Sequence, residues 1–293
     1  MKLLTTLLSL PLLLAAACTP SGSGSLGPGP SAAPLSTPAE PSPALSLPLP
    51  LSPEATPPAT DGRMLTIQVW FHRGGKHFAT TRTRPVTQAT SHLALTELIA
   101  GPSNVERDAG VGSYLATGTR FEIKGIADGT ETVSFPASFY QGEGNGLRMR
   151  QAQVVYTLTQ FRGVQRVAFL ADGAPTFGGP FGRADMADLL PDIVVFSPVI
   201  GQRVTSPVTV SGIADVYEAT VSMRVLDSSG KEIGAKFATA TCTRGCHGAY
   251  SVAMPYRGCV QGPGTVQVYE SSPVDGSRIN VVDIPVQLAG CSQ

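Results

Sequence analysis

GLRMRQAQVVYTLTQFRGVQRVAFLADG, residues 146–173, is the stretch from which the rest of the chain is read. Leu147, Val154, Val155, Leu158 and Phe161 recur near i, i+7, i+8, i+11 and i+14, one stripe of an amphipathic helix. Arg148, Arg150, Gln151, Gln153 and Gln160 fall elsewhere on the wheel, and Gly163 supplies a stop. Val164 to Leu170 then reads as a buried strand, with Asp172-Gly173 as its turn. A helix docked on the strand that follows it is the kernel of an α/β or α+β layer.

Working upstream, Leu65, Ile67, Val69 and Phe71 alternate with Thr66, Gln68 and Trp70, the period of a half-buried strand. Phe78 to Val86 is a second, more polar strand. A helix follows, capped by Thr90 or Ser91, with Leu95, Leu98 and Ile99 as its buried edge and Gly101-Pro102 as its end. Arg120–Ile126 and Thr130–Phe135 pair around Asp128-Gly129. These elements predict an α+β domain over residues 61–176, with both helices on one face of a sheet.

Downstream, Gly and Pro accumulate in a linker (177–192). Asp185, Asp188 and Asp192 are too few oxygen ligands for a calcium loop and read as a solvated turn. Residues 193–293 are read as all β. Short alternating runs such as Val221/Met223/Val225, Tyr250/Val252/Met254 and Val281/Ile284/Val286/Leu288 are separated by turns at Ser229-Gly230, Gly262-Pro263 and Asp275-Gly276. About seven strands at this spacing predict an immunoglobulin-type sandwich.

The first 18 residues, MKLLTTLLSLPLLLAAAC, carry one lysine, an apolar run and small residues ahead of Cys18, the pattern of an export signal. Cys18 after Ala15-Ala16-Ala17 resembles a lipobox, which implies lipidation of Cys18; an ordinary secretory signal cut near Ala17 is the alternative. Residues 19–60 contain 12 prolines and only two charges, Glu40 and Glu54, so they cannot bury a core. At roughly 3.1 Å per residue such a tether reaches on the order of 100 Å when extended.

Two resemblances cover the predicted folded part. Val154-Val155-Tyr156-Thr157-Leu158-Thr159-Gln160-Phe161 with Asp172-Gly173, Leu98-Ile99-Ala100-Gly101-Pro102 with Glu106, and Gly118-Thr119 resemble the GerMN domain of spore germination and sporulation proteins. One departure is Ala116, where that family often has proline. Ile193, Ser197-Pro198, Ser206-Pro207-Val208, Ser211-Gly212, Tyr217-Glu218-Ala219, Glu270-Ser271-Ser272 and Asp275-Gly276 resemble the immunoglobulin-like domain of bacterial spore germination proteins. The resemblances imply an α+β GerMN-like domain followed by an all-β immunoglobulin-like sandwich, in an envelope protein of the germination and sporulation type.

Lys plus Arg and Asp plus Glu both total 21, so no basic excess points to nucleic acid. Cys242, Cys246, Cys259 and Cys291 remain after Cys18, an even number that suggests two disulfides in an exported chain, Cys242–Cys246 and Cys259–Cys291. Cys242-Thr-Arg-Gly-Cys246-His247 is one residue too long for covalent haem attachment and lacks a second histidine for zinc. Ser228-Ser229-Gly230-Lys231 contains S-x-x-K, but in a turn and without its companion motifs. No cofactor or catalytic residue is expected. The expected role is non-enzymatic binding or scaffolding of envelope components, the alternative being a binding module for cell-wall glycan or peptide. The expected partners are a membrane, through the N-terminal lipid anchor, and an envelope protein or peptidoglycan. Binding residues are sought in the loop before the central helix and at its start: Gln141, Glu143, Asn145, Arg148 and Arg150.

Overall fold

The structure, a computed structural model, describes residues 62–290 except 143, 144, 177 and 259. The leader, the tether and Cys18 lie outside the described residues, as do Glu143, Cys259 and Cys291. Among the described residues no helix is long and apolar enough to cross a membrane.

β1 (Met64–Arg73) and β2 (Lys76–Pro85) form an antiparallel hairpin through Gly74-Gly75. α1 (Thr90–Ala100) buries Ala94, Leu95, Leu98 and Ile99. Neither Thr90 nor Ser91 caps it: the N-cap is Ala89, and the Ser91 hydroxyl instead donates to the buried Glu131 carboxylate at 3.1 Å. Gly101, at φ 84, ends the helix. α2 (Asn104–Asp108) follows with a complete Ser103–Glu106 capping box. β3 (Val111–Gly112) pairs with the far end of β1, giving the order β2-β1-β3.

The second sheet of this domain has the order β4-β5-β6-β7. β4 (Glu122–Ala127) and β5 (Thr130–Phe135) turn at Asp128-Gly129, both at positive φ (49 and 74) as a type I′ hairpin requires. The chain then passes through a 3₁₀ turn (Ala137–Tyr140) and α3 (Gly146–Leu158) into β6 (Arg166–Ala171), which lies parallel to β5. Asp172-Gly173 turns it into β7 (Ala174–Pro175).

α3 does not lie as a stripe on one sheet face. Met149 and every residue from Gln151 to Leu158 are buried, so the helix is enclosed all round. It ends at Leu158, five residues before Gly163. It runs along the open edge of β1, and its polar side chains take the place of a neighbouring strand. Gln160 Oε1 accepts from the Gln68 N–H and its Nε2 donates to the Gln68 carbonyl, both at 2.8 Å. Thr157 Oγ1 accepts from the Trp70 N–H at 3.2 Å. Gln153 Nε2 donates to the Trp70 carbonyl at 3.0 Å, and its Oε1 accepts from the Tyr114 N–H at 2.9 Å. Positions 153 and 157 share one face of α3, spaced by four, and Gln160 follows in the turn just beyond its end. They satisfy the backbone groups that an unpaired strand edge would otherwise leave open.

The sandwich follows a 3₁₀ segment (Arg183–Leu189). One sheet, in order β13-β10-β8, joins β8 (Ile193–Ser197), β10 (Val208–Ala214) and β13 (Gly248–Met254). The other, in order β12-β11-β14-β15-β9, joins β9 (Arg203–Val204), β11 (Thr220–Leu226), β12 (Glu232–Thr239), β14 (Gly262–Ser271) and β15 (Arg278–Leu288). Val221, Met223, Val225, Val266, Val268, Ile284, Val286 and Leu288 fill its core. Gly262-Pro263 is not a turn but the start of β14, and Val281 is 43% exposed. Gly212 has no room for a side chain: a Cβ there would stand 1.9 Å from the Val194 carbonyl oxygen, which also accepts from the Tyr250 hydroxyl at 3.2 Å.

Gln153→Leu and Gln160→Leu retain bulk but strand backbone groups of Trp70 and Gln68. Each is expected to lower the unfolding free energy by about 1–3 kcal/mol in urea titrations, Gln153→Leu by more because it is fully buried. Unchanged or raised stability would remove the edge-closing role.

Candidate functional site: the seam between the domains

The loop and helix start that sequence reasoning favoured hold two separate arrangements. Arg150 donates to the Gln141 carbonyl at 2.5 Å and lies 5.8 Å from the Phe139 ring centre. Phe139 itself is core, stacked on Phe135 at 4.2 Å. Asn145 is exposed at the N-cap of α3, and its carbonyl accepts from the Met149 N–H. Arg148 turns the other way, toward the segment joining the domains, where it donates to both Asp188 oxygens at 2.5 and 2.6 Å and to the Asp185 carbonyl at 3.0 Å. Gln141 and Arg150 are thus brought together, while Arg148 is engaged elsewhere. Both members of the Arg148–Asp188 pair are largely exposed, so its contribution to stability is small.

The linker is a packed element. Met186, Leu189 and Leu190 are buried with Trp70, Ala79, Met149, Ala152 and Tyr156 of the first domain and Val194 of β8, and Phe196 and Ile213 pack against them. Trp70 is fully buried, 4.7 Å from Tyr156 and edge-on to Phe196 at 6.0 Å between ring centres. Arg183 crosses this cluster. Its guanidinium lies 5.7 Å from the Trp70 ring and 5.2 Å from the Tyr156 ring, and it donates to Thr159 Oγ1 and the Tyr156 carbonyl at the end of α3. The Tyr156 hydroxyl returns a bond to the Arg183 carbonyl at 3.1 Å. The cation meets the Tyr156 carbonyl in the last turn of α3, where the helix dipole favours a positive charge.

Polar contacts continue along the seam. At the tip of the β1–β2 hairpin, Arg73 donates to the Asp283 carbonyl of β15 at 2.6 Å and Lys76 to the Asp188 carbonyl at 2.8 Å. Between hairpin, β8 and β15 lies a cleft of about 340 Å³. His77 lines it and is 1% exposed, with Nδ1 3.3 Å from the Phe71 carbonyl and Nε2 unpartnered among the described residues. Burial depresses its pKa to about 4.

Sequence reasoning did not find this seam. The available signal was Trp70 at the outward phase of an alternating strand, and His77 on the same face of the next, opposite His72. Large rings on the nominally solvated face of a hairpin mean that something covers it. His247, considered for zinc, places Nε2 3.0 Å from the Pro191 carbonyl at the same junction. Cys242 and Cys246 are bonded, with an S–S distance of 2.07 Å.

Two family models match the chain: "Sporulation and spore germination" over residues 70–177, and "Immunoglobulin-like domain of bacterial spore germination" over residues 192–277. The chain carries a domain of the sporulation and spore germination type followed by an immunoglobulin-like domain of the bacterial spore germination type. Among solved structures it is similar to the tandem GerMN domains of the sporulation protein GerM from Bacillus subtilis, at 16% identity and TM-score 0.35, covering 60% of each chain. The first GerMN domain of that protein gives 19% identity and TM-score 0.31, over 40% of this chain and 90% of that one. A putative lipoprotein from Clostridium perfringens gives 15% and 0.30, over 46% and 98%. The chain therefore spans less than two thirds of the tandem GerM structure. A search of curated proteins returned no match.

The motif residues of both domains do structural work. Glu106 is buried; burial alone would raise its carboxyl, but bonds from Arg82, Thr80 and the Ser103 N–H outweigh that and hold it at about 2. In the immunoglobulin-like domain the buried Glu270 carboxylate accepts from the Tyr217 N–H and from Asn280 at 2.8 Å each. This anchors the Tyr217-Glu218-Ala219 turn, in which Glu218 and Ala219 both stand at positive φ (52 and 56).

His77 gives the seam an acid-sensitive signature. Below pH 6.5 the unfolded chain protonates this ring, whereas the folded chain does so only near pH 4. Stability is therefore complete above pH 6.5 and falls as pH drops toward 4, by at most about 3 kcal/mol. Glu106, whose folded value lies below its unfolded one, adds a loss between about 4.5 and 2. His77→Phe is expected to remove most of the slope between pH 6.5 and 4.5 in unfolding titrations and to leave the steeper loss below it. An unchanged slope would place His77 outside the seam.

Proposed function

We propose that this GerMN-like protein is a non-enzymatic, lipid-anchored component of the bacterial envelope that binds or scaffolds other envelope components. The observation that carries the reading is the seam. The GerMN-like and immunoglobulin-like domains share a buried cluster around Trp70, so they present their surfaces at a fixed spacing. A signal-like start ending at Cys18 and a proline-rich tether fit a module held at a distance from a membrane. Tethering raises the local concentration of a weak binding surface, so modest affinity suffices.

The chemistry of three strongly shifted groups, Glu106, Tyr156 and Tyr250, supports a binding role over catalysis. Glu106 is engaged by Arg82 and Thr80, the Tyr156 hydroxyl by the Arg183 carbonyl, and the Tyr250 hydroxyl by the Val194 carbonyl. Each serves packing; none stands beside a nucleophile that it could activate. Gln141, Glu143, Asn145, Arg148 and Arg150 remain the first positions to substitute in search of a partner surface.

The anchor is tested by fractionation: Cys18→Ser is expected to move most of the protein from membranes to the soluble envelope fraction, and equal membrane retention would refute anchoring. The binding role is tested by affinity capture with the full chain and with a version cut after the tether. Envelope proteins or wall fragments captured only by the full chain support it. Identical capture refutes it, as would a hydrolytic activity abolished by one substitution.

A further inference from the structure

The cleft at the hairpin tip has the composition of a small-molecule site, and neither family description assigns one. At about 340 Å³ it lies at the small end of the range for ligand pockets. Its walls come from both domains. Arg73, Lys76 and His77 stand on the GerMN-like side, and Val195, Val281 and Val282 on the immunoglobulin-like side.

Its charge is unbalanced in a specific way. Arg73 and Lys76 each spend one donor on a main-chain carbonyl, of Asp283 and Asp188 respectively. Neither stands in a salt bridge with a described carboxylate. A guanidinium has five N–H donors and an ammonium three, so most remain free. The one carboxylate on the lining, Asp283, accepts from Gln267 at 2.8 Å. His77, buried and neutral at ordinary pH, adds no charge. Val195, Val281 and Val282 give the lining an aliphatic part, and Val281 is 43% exposed there.

We infer that this interdomain cleft binds a short aliphatic monocarboxylate, its head group on Arg73 and Lys76 and its alkyl chain along Val281, Val282 and Val195. Two cations at one end of an apolar slot select for charge sign and chain length together. Because the walls belong to different domains, the ligand would also brace the seam, and by mass action it would raise the stability of the joined form. This inference is independent of the anchoring and scaffolding reading.

The test is calorimetric titration of the full chain with acetate, butanoate, hexanoate and octanoate, with hexylamine as the charge-reversed probe. Hexanoate is expected to bind with a dissociation constant on the order of 1 mM and to raise the melting temperature, more tightly than acetate, while hexylamine does not bind. Arg73→Ala with Lys76→Ala should abolish binding. Those substitutions also remove two interdomain bonds, so Val281→Asp provides a second arm. It keeps both cations, adds a repelling carboxylate on an exposed position, and should weaken hexanoate at least tenfold. No carboxylate binding up to about 10 mM, equal binding of hexylamine, or hexanoate affinity unchanged in either variant would overturn the assignment.

Discussion

The architecture depends on how one strand edge is closed. β1 pairs with β2 along one side, but on the other it meets β3 only at His72 and Arg73. The backbone groups of Gln68 and Trp70 would be left open in a dry interior, a cost of about 1–3 kcal/mol for each unpaired group. Gln153 and Thr157 of α3, with Gln160 in the turn that follows it, close that edge. The helix therefore sits beside β1 and is enclosed on all sides.

That placement determines what the second domain can do. One face of the hairpin, with Ile67, Val69, Phe71 and Phe78, packs into the core shared with α1. The other face carries Trp70, His77 and Ala79, and α3 adds Met149, Ala152 and Tyr156 beside them. The result is an apolar surface that water would penalise. Met186, Leu189, Leu190, Val194 and Phe196 cover it, which turns the linker and the first sandwich strand into parts of the same core. Arg183 joins the two devices, because it binds the end of α3 while lying over Trp70 and Tyr156.

Much of this was legible in the residues. Alternation marked β1, the Asp128-Gly129 and Asp172-Gly173 pairs marked turns with positive φ, and Val221/Met223/Val225 marked a sandwich strand; all stand as read. The failures share a cause. A wheel sorts residues by polarity, so Gln153 and Gln160 were set apart from the buried stripe, although an amide can be buried when it bonds to backbone. Ser91 has the chemistry of a cap, but a long-range partner, Glu131, competes for its hydroxyl. Gly262-Pro263 has turn composition, yet tertiary pairing with Gln287 and Leu288 draws it into a strand. The interdomain cleft was not legible, because its walls are separated by more than a hundred residues and meet only through the seam.

Amide hydrogen exchange at Gln68 and Trp70 tests the central claim most directly. If α3 closes the edge of β1, both amides exchange as slowly as those in the middle of the sandwich, while Thr66, on the same edge but beyond the helix side chains, exchanges quickly. Exchange at Gln68 and Trp70 as rapid as at Thr66 would mean the edge is open, and would contradict the account of the first domain and of the seam built on it.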